Sequence, residues 1–323
     1  MIPELLKLCC KIMLGKFELT YVSEVSIDSD VENLTDTCSI TLPRALYFEG
    51  EPLRNHLKRG DAVKVELGYN DDLKTVFTGF IKSLKMNTPL VVECEDNMFV
   101  LKKVIVKPTH YAKVSIKKLL DDLLPEDIER SVLDFDLGEF TIKDETNLSK
   151  ILEYIVSTYK IRFFFKQGKF YATMPHTQVF VEGDSTQHIF EFQKNIISDS
   201  INYQYKDDIN VTIVAKSIQR DNKTIEVRVP EGGKSEIRTF YYNNRSKAEL
   251  QKLATDMLKF YAYDGLNGSF DAFGIPFVQV SDFVKLFDSK NAERNGQIYL
   301  VKSVKYNFGQ NGYRQTIELS YKL

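Results

Sequence analysis

Residues 60–96 read GDAVKVELGYNDDLKTVFTGFIKSLKMNTPLVVECED, and they constrain the fold more than any other stretch. Val63, Val65 and Leu67 alternate with Lys64 and Glu66, the period-two pattern of a half-buried strand. Residues 76–86 and 90–94 continue in the same style, and Gly68, Asn70-Asp71, Gly79, Asn87 and Pro89 supply turn chemistry. The stretch predicts a meander of short antiparallel strands, and it recurs. Asp282-Phe283-Val284-Lys285-Leu286 echoes Asp61-Ala62-Val63-Lys64-Val65, and Lys302-Ser303-Val304-Lys305 echoes Lys82-Ser83-Leu84-Lys85. The two marks lie eighteen residues apart in the first copy and seventeen in the second. Each copy ends in one more strand, residues 90–95 and 315–321. Same order at nearly the same spacing predicts an internal duplication, with different material between the copies.

A chain of 323 residues has room for about two or three domains. Hydrophobic content of 43% and charged content of 27% belong to a globular protein, and a net charge of −2 carries no footprint for tight nucleic-acid binding. Trp is absent, which disfavours a sugar-binding groove built on Trp stacking. Cys9, Cys10, Cys38 and Cys94 lack metal-ligand spacing and read as reduced thiols, with Cys9 and Cys10 on opposite sides of a strand. No apolar run reaches the ~20 residues that span a bilayer. Lys7 and Lys11 interrupt the apolar N-terminus, which reads as structure and not as a signal peptide.

Taken in order, residues 8–14 read as a strand, with a helix as the alternative, and Gly15-Lys16 as a turn. Tyr21, Val22, Val25 and Ile27 mark a second strand, and residues 29–35 an acidic loop. Residues 37–42 give a third strand, ended by Pro43. Residues 45–57 make an irregular or short helical link. The first β-domain is predicted over residues 5–103. The middle changes character. Ile116, Leu119, Leu120 and Leu123 form one helix face before Pro125, and Leu148, Ile151, Leu152, Ile155 and Val156 form another. Strands over 161–165 and 170–174 flank Lys166-Gln167-Gly168-Lys169, a hairpin signal. This is a small α+β module over 108–176, able on this reading to cover its own sheet and to be deleted without loss of assembly. Phe163, Phe164 and Phe165 read as one buried side plus one exposed or interface aromatic. Residues 189–192, 200–205, 210–215, 224–229 and 237–241 read as strands, punctuated by Asp207-Asp208, residues 220–223 and a loop at 230–233. A helix follows over 246–263, with Ser246 and Glu249 as a capping box and Leu250, Leu253, Ala254, Met257, Leu258 and Tyr261 as its stripe. These belong to a second β-domain over 188–323. The fold class is mainly β with α+β: two tube-like β-barrels with an inserted α+β module.

No stretch carries reaction machinery. HExxH, GxSxG, P-loop and GxGxxG are absent, and His56, His110, His176 and His188 are scattered. Asp71/Asp72 and Glu93/Glu95 read as chance acid pairs, the latter a solvated strand face. No catalytic, cofactor-binding or metal-binding residue is predicted, and no enzymatic activity.

The order of parts resembles phage tail hub proteins, the late-control-D and Mu-type baseplate hubs related to the VgrG spikes of type VI secretion. The resemblance rests on TDTCSITLPR, RGDAVKVELGY, FTGFIKSLKM and VVECED at one end. At the other it rests on AELQKLATDMLKFYAYDGLNGSFDAFG, VSDFVKLFD, IYLVKSVKYNF and YRQTIELSY. It spans residues 8–321. One departure is Val280-Ser281-Asp282, where the family often has Pro-Gly, and the chain stops at Leu323 without the long β-helical spike of VgrG proteins. The resemblance implies a homotrimer whose six barrels meet a hexameric tail tube above and a trimeric spike below. Tape-measure protein or DNA passes through without specific binding. It implies a virion tail component assembled in the bacterial cytoplasm. The acidic loop at 29–33 and the Asp207-Asp208 turn are expected to face the tube or lumen. Alternatives are a VgrG-like secretion cap, a tail-tip peptidoglycan hydrolase and a carbohydrate-binding adhesin.

Overall fold

The computed structural model describes residues 6–44, 46–85, 88–173, 186–219, 221, 223–231, 236–291 and 295–322. His176, Met174, Arg220, Met86, Asn87 and the glycines at 232 and 233 lie outside that set.

A thirteen-stranded sheet holds both copies of the meander. In the first half, neighbours across the sheet are Glu24–Asp30, Thr37–Thr41, Val91–Glu95, Asp72–Lys85 and Ala62–Tyr69. In the second they are Ile196–Asp199, Ser269–Phe273, Gly312–Lys322, Ile298–Gly309 and Phe283–Phe287. Strand for strand, these two paths follow the chain in the same sequence order. Lys64 and Lys285 therefore sit on equivalent strands, as do Lys82 and Lys302. The copies diverge at the next strand out. Leu8–Leu14 runs antiparallel to its neighbour, whereas Gln187–Glu191 runs parallel to Phe283–Phe287. The strand reading of residues 8–14 holds, because Ile12 and Leu14 bury one face while Cys9 and Lys11 stay half-exposed on the other.

The sheet is an open path among the described residues, instead of two closed barrels. Glu24–Asp30, the first strand of the first repeat, pairs with residues 303–309 of the second repeat. One apolar core follows from that joint. Ile27, Ile40, Val65, Ile81 and Val92 share it with Phe190, Phe270, Val284, Val304 and Ile317, all at 1% exposure or less. Tyr69 donates its hydroxyl to the Tyr313 carbonyl across the same core, at 2.9 Å.

A second core lies apart from the sheet. Helices Ile116–Leu123 and Leu148–Tyr159 form where the apolar periodicity puts them; Ser115 caps the first by accepting from the Lys118 N–H, and Lys160 in the left-handed region (φ 59°) closes the second. The hairpin between Arg162–Lys166 and Lys169–Thr173 turns on two positive-φ residues, Gln167 and Gly168, as a two-residue turn requires. Helix Lys247–Tyr261 has its capping box at Ser246 and Glu249, worth about 1 kcal/mol. Its stripe does not cover a second barrel. Leu250, Ala254 and Met257 pack on strands Val211–Ile218 and Thr224–Val229, and all of these join the apolar cluster of residues 98–172. The α+β module is thus not self-sufficient: material inserted in the second repeat completes its core. Deleting 108–176 would strip one side of that shared core, so the packing does not fit a module that covers its own sheet unaided.

Candidate assembly surface

The two repeats agree at the level of single hydrogen bonds. The Lys58 N–H donates to Asp61 Oδ2 (2.8 Å), and the Gln279 N–H donates to Asp282 Oδ2 (2.9 Å). Asp61 and Asp282 each close the same tight turn, onto the carbonyls of Lys58 and Gln279, both at 3.1 Å. Gly60 and Ser281 then bond the Ile81 and Val301 carbonyls. Both residues hold positive φ, 93° and 64°. The departure from Pro-Gly at this turn therefore leaves its shape intact; Ser281 takes the left-handed conformation that glycine usually supplies. Lys82 and Lys302 each mark a bulge in the long strand, and each lysine reaches a glutamate of the closing strand, Glu95 at 2.7 Å and Glu318 at 2.8 Å.

Where the repeats differ, the second has turned its aspartate into an anchor. Asp282 is 3% exposed. It accepts from Lys166 Nζ at 2.8 Å and from the Thr186 N–H on one oxygen, and bonds His188 Nε2 at 3.0 Å on the other. Burial alone would raise its pKa, but His188 and Lys166 outweigh that and hold it below the usual carboxylate range. Lys166 belongs to the module's hairpin, so this ion pair ties the module to the sheet. Phe164 does the same apolar work, packed in a small cluster with Val31, Tyr171 and Val280. All three phenylalanines of the run are buried, because the strand has the module's core on one side and the sheet on the other. No exposed aromatic face results.

A cavity of about 500 Å³ opens beside this anchor, lined by Asp36, Asp96, Val76, Lys166, Phe277 and Tyr306 among others. Asp36 is half-buried, accepts from the Ser29 hydroxyl, and is pushed up by burial to about 7. Burial and the Asp36 charge push Asp96 well above its ordinary value, although the Met98 N–H donates to it at 3.0 Å. The Asp36 contribution is complete below the unfolded value near 3.8 and is lost as pH rises through about 7; Asp96, raised by the same burial, loses its contribution with the same sign as pH rises. Asp96→Asn keeps the bond from Met98 and removes a buried carboxyl that is costly to ionise. We expect it to match the parent near pH 4 and to exceed it at pH 8 by on the order of 1–2 kcal/mol. Urea unfolding at pH 4, 6 and 8 measures this, and a difference that does not change with pH counts against it.

Other residues singled out in the sequence take structural places. Glu95 is not on a solvated face: it is 5% exposed and gripped by Lys82 and Lys102 at 2.7 and 2.8 Å. Glu93 pairs with Lys85, and Asp71, at positive φ, shapes the hairpin turn after Tyr69. In the acidic loop, Glu32 is paired with Arg162 at 2.8 Å and Lys302 at 3.5 Å, so that carboxylate is neutralised locally. Asp207 and Asp208 form a short 3-10 turn at the start of the inserted material. His110 bonds Thr141, and Cys10, Cys38 and Cys94 are buried free thiols with Cys9 half-exposed. Among the described residues no group of three or more His, Cys, Asp or Glu side chains is placed to hold a metal, and no helix is long and apolar enough to cross a membrane.

What the surface does offer is strand edge. Ile196–Asp199 ends the sheet path, and Asn202–Gln204 continues it with Gly265–Asn267 as its only partner among the described residues. Ile197 on that edge is 46% exposed. No strand is predicted from sequence at Gly265–Asn267 or Ser269–Phe273, where Gly265, Asn267 and Gly268 have weak strand propensity; the alternation of Phe270 and Ala272, both buried, was the available signal.

Solved structures share this arrangement over nearly its whole length. A tail protein from Neisseria meningitidis MC58 superposes with a TM-score of 0.67 at 14% identity, covering 97% of this chain and 96% of that one. The chain has a phage tail-protein fold. The 43 kDa tail protein of prophage MuSo2 from Shewanella oneidensis agrees, with a TM-score of 0.64 at 11% identity and coverage of 97% and 96%. An Escherichia coli component of the type VI secretion system, itself described as similar to bacteriophage T4 tail proteins, matches at 0.57 and 10%, covering 97% of this chain and 76% of that one. No protein-family model matches the chain, and no curated protein matches it in sequence. At these identities it is the fold that is shared.

Proposed function

We propose that this chain is the structural hub of a contractile phage tail or tail-like injection apparatus. Three copies present six related repeats to a sixfold tail tube, and the threefold opposite face receives a spike. The observation that carries the reading is the pair of topologically identical repeats, joined side by side in one sheet. A trimer of such chains supplies six near-equivalent units, and symmetry adaptation of this kind needs interfaces rather than an active site. Its place is the virion tail, where DNA or tape-measure protein passes through the ring without specific binding. The similarity to a type VI secretion component supports a second reading, a VgrG-like cap on a secretion apparatus; neighbouring genes separate the two, tape-measure and tail-lysozyme genes against effector and immunity genes.

Light scattering on the concentrated protein tests the trimer. A mass of about 112 kDa is expected, three times 37.3 kDa. A dimer or tetramer overturns the reading.

A further inference from the structure

The joint between the repeats inside one chain is one-sided. The first repeat gives its first strand, Glu24–Asp30, and the second gives residues 303–309 of its long strand. Each repeat contains both halves of such a joint, and the strand equivalence locates the two unused halves. Ser39 lies opposite Glu93 in the first repeat, as Ser269 lies opposite Glu318 in the second. One strand further out, Ser26 faces Ser39, and the Ser200 N–H bonds the Ser269 carbonyl at 2.9 Å. Asp28 opposite Thr37 then corresponds to Asn202 opposite Asn267. On the other side, the bulges at Lys82 and Lys302 align residues 83–85 with residues 303–305. Neither the outer side of Asn202–Gln204 nor that of residues 83–85 has a strand partner among the described residues.

We propose that Asn202–Gln204 of one chain pairs antiparallel with residues 83–85 of the next copy, in the register of the internal joint. Internally, Asp28, Ser29 and Asp30 face Lys305, Val304 and Ser303. Between chains, Asn202, Tyr203 and Gln204 face Lys85, Leu84 and Ser83 of the next copy. Tyr203 and Leu84 already pack, half-buried, against the shared core of their own chain, so this register carries that core across the joint. Exposed edges invite such pairing, and a head-to-tail contact that repeats the internal one generates a ring. The chain–chain joint is the shorter of the two kinds. Internally seven residue pairs form. Between chains, however, strand Asn202–Gln204 supplies only three residues, so three pairs form. The ring opens at these joints and not within a chain. The inference takes its number of copies from the trimer proposed above and its joint from the internal repeat alone.

Lys85→Cys with Asn202→Cys in the full chain tests the register. Both positions are exposed, so the fold is not at stake. Directly opposite residues of an antiparallel pair bring Cβ atoms within disulfide reach. Asp28→Cys with Lys305→Cys, whose native side chains form an ion pair at 3.2 Å, is the internal reference. On mild oxidation of the concentrated protein, the reference variant closes within the chain. The Lys85/Asn202 variant is expected to give interchain species ending at a covalent trimer, while either single variant gives none. If the reference closes and the Lys85/Asn202 variant stays single-chain, the joint is wrong. Light scattering on the unmodified chain then separates the two ideas: a trimer leaves the hub reading standing, and a monomer removes both. Interchain disulfides formed equally well by the single variants also overturn the joint.

Discussion

Asp282→Asn is expected to destabilise the protein by about 3–5 kcal/mol, the usual cost of removing one member of a buried ion pair. The cost arises from what is left behind. Lys166, with its side chain only 4% exposed, would be left buried without the carboxylate that pairs with it. Lys166→Met is expected to cost less, because Asp282 retains His188 and the N–H groups of Gln279 and Thr186. The double variant is expected to be more stable than the sum of the singles predicts, which a double-mutant cycle by urea unfolding measures. The pH dependence has a fixed sign. Asp282 is held below its ordinary 3.8 in the folded state, so its contribution is present above that value and lost as pH falls through the folded one. Parent and variant should converge in acid. An Asp282→Asn variant within 1 kcal/mol of the parent at pH 7 would show that the anchor is dispensable.

Gly79→Ala is expected to cost about 3 kcal/mol or more, at the upper end for overpacking, because both clashing partners are backbone. A Cβ there would lie 2.1 Å from the Glu95 carbonyl oxygen and 2.8 Å from the Asp96 Cα. Neither atom can rotate away. To make room, the end of Val91–Glu95 must leave the long strand, which disturbs the grip of Lys82 and Lys102 on Glu95. Gly168→Ala is the contrast. Nothing lies within 4 Å of its added Cβ, and only the positive φ of 82° is penalised, at roughly 1–2 kcal/mol. Equal Tm losses for the two variants would contradict the steric account of Gly79.

Sequence alone determined the repeat. Asp61 with Lys64, and Asp282 with Lys285, fall on equivalent turns and strands, because each local pattern fixes the same hydrogen bonds wherever it occurs. It also determined the helices, since the periodicity of residues 116–123 and 247–261 and the cap at Ser246 are local properties. The strands at 265–273 were illegible for the same reason in reverse. Gly265, Gly268 and Asn267 have weak strand propensity, and only pairing with Gly312–Lys322 and the edge strands imposes the extended form. Tertiary structure decided what packs with what. Helix Lys247–Tyr261 lies within the second repeat in sequence, yet it completes the core of the module that precedes that repeat, because an apolar stripe specifies burial without naming a partner. Glu95 reads as a solvated strand residue until two lysines from separate elements converge on it. Asp61 and Asp282 close the same turn, but only the position of Lys166, more than a hundred residues away in the chain, makes Asp282 alone a buried anchor. Local hydrogen-bonding patterns travel with the sequence; burial and charge pairing depend on which distant surfaces meet.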